Sequence, residues 1–174
     1  MMKLSDVNLS RRAFTLVELL VVIAIIGLLS SVAVVATSSA RQNSRNTRRI
    51  ADILQFQKAF ALAYDSVGGF PYSGAANGGT ACISATCYGA WSTLAAYGPL
   101  DAVLFPTYMG NKPIDPPDTL RNSGGYLFDD HWAGGNGLPA GIVLVYKLEG
   151  ATSCGPGTFQ VGNSSYTQCV LYLQ

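Results

Sequence analysis

The sequence predicts an α+β chain: a long N-terminal helix, then a small head with an antiparallel β-sheet and two disulfides. Three observations predict it. Residues 14–36 form an apolar run broken by one charged side chain, Glu18. The stretch from Arg41 to Asp65 continues without Gly or Pro. Three β-patterned segments and four cysteines then follow in the Gly-rich remainder. The chain's 174 residues suffice for one domain with a modest core. A formal charge of +1 gives no electrostatic case for a nucleic-acid partner.

Residues 1–13 are polar and carry Lys3, Arg11 and Arg12 against Asp6. A helix over 14–36 would be about 35 Å long at ~1.5 Å per residue, enough to cross a ~30 Å hydrocarbon core. A secretory signal cut after Ser38-Ser39-Ala40 is one reading of this run, and an uncut anchor is another. The run is longer than the ~7–15 apolar residues of a signal h-region. Glu18 argues against both, because an ionisable residue inside a membrane segment is costly and usually has a partner or a task. A cut just before Phe14 would supply the partner. It creates an α-amino group four residues from Glu18, and in a bundle of such helices one subunit's amine can meet a neighbour's carboxylate. The charges meet only at the correct axial offset, so the pair also sets register.

The run Arg11-Arg12-Ala13-Phe14-Thr15-Leu16-Val17-Glu18-Leu19-Leu20, continuing to Gly27, closely resembles the class III signal of type IV pilins and type II secretion pseudopilins. The resemblance implies a type IV pilin-like fold and cleavage between Ala13 and Phe14 by prepilin peptidase, a membrane aspartyl protease. It implies N-methylation of Phe14 and a role for Glu18 in assembly. The implied partners are the lipid bilayer before assembly, an inner-membrane assembly platform with its ATPase, and other copies of the chain in a helical filament. The implied location is a single-pass inner-membrane protein first, then an extracellular or periplasmic filament. Ala13 stands where the family usually has Gly, and residues 28–40 lack the proline many relatives carry. Helix weakness in this stretch would have to come from Gly27 or Ser30-Ser31. Arg41, Arg45, Arg48 and Arg49 beyond the span outnumber the basic residues of the leader, so loop charge does not orient the segment and the motif does.

The reading divides the chain into a removed leader at 1–13, an assembly segment at 14–40 and a head at 41–174. Between Arg41 and Asp65, Ile50, Ile53, Leu54, Ala61 and Tyr64 fall near one helical face, with Arg49, Asp52 and Lys58 opposite. The four arginines are read as a solvated helix face. Val67-Gly68-Gly69-Phe70-Pro71 ends the helix. Residues 45–71 resemble the major pseudopilins more narrowly, and Pro113-Ile114-Asp115-Pro116 is similar to a family Asp-Pro element. Residues 72–125 read as loop-rich, with short helices expected around Trp91–Tyr97 and Leu100–Tyr108. Strands are expected at Gly125–Phe128, Ile142–Leu148 and Tyr166–Leu173, laid over the end of the helix.

Cys82, Cys87, Cys154 and Cys169 all follow the apolar run, and an even count in an exported head reads as two disulfides. Three pairings are possible; closeness in sequence favours Cys82–Cys87 and Cys154–Cys169. Zinc is disfavoured by the spacing and by His131 being the only imidazole. No nucleophile elbow, phosphate loop or zinc-helix motif is present, so no enzyme, cofactor or metal is expected. The pseudopilin resemblance implies calcium in a late loop, for which Asp115, Asp118, Asp129 and Asp130 supply oxygens without a defining spacing. The expected role is a filament subunit of a type IV pilus. The alternatives are a major pseudopilin of a type II secretion system, or an exported adhesion domain released after Ala40.

Overall fold

The computed structural model describes residues 14–71, 79–117, 123–150 and 152–173. The expected leader at 1–13, with Ala13, and Asp118 lie outside them. The chain divides into two compact units, Met1–Arg41 and Gln42–Gln174.

In the first unit, helix α1 (Leu16–Val67) begins. Its apolar residues between Leu16 and Val34 are all exposed. A helix apolar on every side suits lipid or other helices rather than water, and this one is long and apolar enough to cross a membrane.

In the second unit, α1 continues to Val67, where Gly68 takes a positive φ of 74° and its N–H closes on the Tyr64 carbonyl at 2.8 Å. Five antiparallel strands form the main sheet: β1 (Thr80–Cys82), β4 (Tyr126–Trp132), β5 (Gly141–Glu149), β7 (Tyr166–Tyr172) and β6 (Thr158–Gly162), in that order across the sheet. A two-stranded ribbon pairs β2 (Tyr88–Gly89) with β3 (Ser123–Gly124). A Cβ on Gly124 would strike the end of the Tyr88 ring, so a larger residue there needs that ring to move.

The core sits between α1 and the sheet. Phe60 stacks on Phe128 at 4.5 Å between ring centroids, and Phe56 meets Tyr126 edge-on at 5.9 Å. Leu144, Tyr146 and Leu148 of β5 join this cluster, while Val143 and Val145 join a second one with Trp91 on the other side. Covered on both faces, β5 reads in sequence as an almost unbroken apolar run.

The expected strands at 142–148 and 166–173 are β5 and β7. The one expected at 125–128 is the start of a longer strand, β4, paired with β5. The short helix lies at α2 (Gly98–Leu104), with Pro99 in its first turn and Leu100 and Leu104 buried. Residues 91–97 are not a helix: Trp91 lies in a turn and packs into the second cluster. The helix face also differs from expectation. Ile53, Phe56, Phe60 and Ala63 are buried, whereas Leu54, Ala61 and Tyr64 are exposed.

Candidate functional site: the start of the apolar helix

Thr15 and Glu18 open α1 as a reciprocal cap. The Glu18 carboxylate accepts the Thr15 backbone N–H and hydroxyl, both at 2.8 Å, and the Thr15 hydroxyl oxygen accepts the Glu18 N–H at 3.1 Å. Thr-x-x-Glu is a capping box, which satisfies N–H groups that a helix start otherwise leaves unpaired. A carboxylate in the first turn also suits the positive end of the helix dipole. Glu18 therefore has a local use besides any partner. The sequence signal was legible as Thr15 followed three residues later by Glu18.

Further along the apolar segment the hydroxyls turn back on the helix. Ser31 donates to the Leu28 carbonyl at 2.7 Å and Thr37 to the Ala33 carbonyl at 2.8 Å. Such bonds let hydroxyl side chains sit in an apolar setting with their donors satisfied.

In the second unit, Arg49 is not on a solvated face. It is fully buried, with Nε 2.7 Å from Asp115 Oδ1 and Nη1 2.6 Å from Glu149 Oε1. Its Nη2 donates to the Pro116 carbonyl and its Nη1 also donates to Asn46. Arg45 grips the same Glu149 carboxylate through Nε at 2.6 Å and Nη2 at 2.5 Å. Asp115 in addition accepts the Gly125 N–H at 2.6 Å. Two cations and two anions thus balance within one network. Only Arg41 and Arg48 of the four arginines are exposed.

The two disulfides are Cys82–Cys87 and Cys154–Cys169, the pairing that closeness in sequence favoured. The second ties the loop before β6 to β7. His131 is exposed beside Asp130, its Nδ1 2.5 Å from the carboxylate. Asp129 takes the Thr80 hydroxyl at 2.8 Å and the His131 N–H at 2.9 Å. Of the described candidate calcium ligands, Asp115 is engaged with Arg49, and Asp129 and Asp130 lie on β4. Among the described residues no group of three or more His, Cys, Asp or Glu could hold a metal ion.

Tyr126 donates to Asp52 at 2.7 Å. Burial pushes the Asp52 carboxyl above its ordinary range despite that bond, and burial together with the Asp52 bond pushes the Tyr126 hydroxyl up as well. The bond ties α1 to β4.

The family profile described as the prokaryotic N-terminal methylation motif matches residues 8–34, the signal of type IV pilins and pseudopilins. No curated protein and no solved structure matches the chain.

Proposed function

We propose that the chain is the structural subunit of a type IV pilus-like helical filament. The supporting observation is the placing of Glu18: a carboxylate in the first turn of an exposed apolar helix, inside the methylation motif. In this reading residues 1–13 are the leader, 14–40 the membrane and assembly segment, and 41–174 the exported head. Prepilin peptidase cuts between Ala13 and Phe14, and Phe14 is N-methylated. The subunit waits in the inner membrane until an ATP-driven platform extracts it. It then polymerises through heterologous contacts that do not close.

Glu18 pairs with the Phe14 amine of a neighbour in the filament, as its own capping contacts allow one carboxylate oxygen to be shared. The second reading, a major pseudopilin of a type II secretion system, rests on the narrower likeness of residues 45–71. Mass spectrometry of the mature chain tests the proposal. It predicts a first residue of methylated Phe14; a chain that starts at Arg41 would overturn it.

A further inference from the structure

We infer that Asn163 is the acceptor of an N-linked glycan on the head, an inference that rests on the export reading above. Asn163-Ser164-Ser165 is an Asn-x-Ser acceptor sequence without proline in the middle position. It occupies the tip of the hairpin between β6 and β7, where Asn163 and Ser164 are exposed. The Asn163 N–H donates to the Tyr166 carbonyl at 2.8 Å and closes the turn. Its side-chain Oδ1 accepts the N–H of Ser165 at 2.7 Å and that of Tyr166 at 3.2 Å. The carboxamide is held by its oxygen, while no described hydrogen bond uses its nitrogen. Nδ2 is the atom a glycan joins, and the bond to Ser165 folds the third residue of the acceptor sequence back against the carboxamide.

A second observation gives the sugar something to do. β6 is an edge strand, and Phe159 and Val161 on it are 58% and 40% exposed. No charged residue lies between Gly155 and Tyr166. Natural sheets guard open edges with charge, proline or a cover; here the only guard within the strand is the register shift between Phe159 and Val161. A hydrophilic glycan two residues beyond Val161 would shield this edge. The other Asn-x-Ser in the chain, Asn8-Leu9-Ser10, lies in the leader and is removed in the same reading.

The donor is an oligosaccharide carried on a lipid diphosphate, with a transferase acting in trans. Asn163 Nδ2 attacks the anomeric carbon, the N–C bond forms and the C–O bond to phosphate breaks. The lipid diphosphate leaves with the electron pair, and one Nδ2 proton passes to a base of the transferase.

The test is mass spectrometry of the full chain purified from cells that make it, with cysteines alkylated before and after reduction. The peptide spanning Asn163 is expected to carry a glycan mass. That mass is lost in Asn163→Gln and Ser165→Ala and kept in Ser165→Thr and Ser164→Ala. An unmodified peptide from a disulfide-bonded chain overturns the inference and leaves the export reading standing. Cysteines that alkylate without reduction overturn both. A glycan that survives Asn163→Gln, or disappears in Ser164→Ala, is linked to serine and overturns it too.

Discussion

Arg49 Nη1 and Glu149 Oε1 meet at 2.6 Å, both side chains fully buried and 100 residues apart in sequence. With Arg45 and Asp115 they fasten the first turns of α1 in the head to the end of β5 and to the Asp115 loop. Removing one member leaves an uncompensated buried charge, a change that usually costs about 3–5 kcal/mol. Arg49→Met should therefore lower stability by about that much in chemical denaturation. Arg45 is 32% exposed, so Arg45→Ala should cost only about 1 kcal/mol. An Arg49→Met midpoint equal to wild type would show that the network contributes nothing.

This network marks where sequence reading stopped. Helical spacing around Ile53 was legible, but the partners that pull Arg49 inward lie 66 and 100 residues away. Without them a cation on an amphipathic helix reads as solvated, and the apolar face reads as lying too far round. Burying Arg49 rotates the true stripe onto Phe56, Phe60 and Ala63. The apolar run of β5 announced itself, while β1, β2, β3 and β6 are short and take their place from the strands beside them. Glu18 is conspicuous in the sequence as the one charge of the apolar run, and its bond to Thr15 is legible there only as the Thr-x-x-Glu spacing.

The Cys154–Cys169 bridge closes a loop of 15 residues, for which loss of chain entropy in the unfolded state predicts about 3 kcal/mol. Replacing both cysteines with serine should reduce stability by that order, and replacing Cys82 and Cys87 should reduce it less, since the separation is 5. Paired thermal unfolding of the two double variants checks the ranking. A larger loss at Cys82–Cys87 would contradict the loop-entropy account.

Tyr146 donates its hydroxyl to the Cys154 carbonyl, and burial pushes its pKa up to about 12. An unfolded tyrosine titrates near ~10. The folded state therefore holds this proton more tightly, and its contribution is fully present below the unfolded value. That contribution is lost as pH rises through the folded one. Tyr146→Phe should be less stable than wild type at neutral pH by about 1 kcal/mol, the usual worth of such a bond. The gap between the two should narrow progressively above pH ~10. Denaturant midpoints measured for both proteins at pH 7 and along an alkaline series decide it; a gap that stays constant would remove Tyr146 as the cause.

The capping box and the proposed amine pair make different demands on Glu18, and one substitution separates them. Glutamine can fill the same position of a capping box, because its side-chain oxygen also accepts the Thr15 N–H. It cannot neutralise the α-amino group that the proposed cleavage would create at Phe14. If Glu18 serves assembly through charge, Glu18→Gln and Glu18→Ala should both be cleaved and methylated normally, and both should fail to enter filaments. If helix capping is the whole role, Glu18→Gln should assemble while Glu18→Ala does not. Thr15→Ala completes the comparison by removing the hydroxyl that accepts the Glu18 N–H while leaving the carboxylate in place. The charge reading expects this variant to assemble with the Phe14 amine still paired. Filament yield by electron microscopy, beside the mass of the mature N-terminus, gives the answer for all three. Glu18→Gln filaments at wild-type yield would remove the amine pair and leave the cap as the role of this side chain.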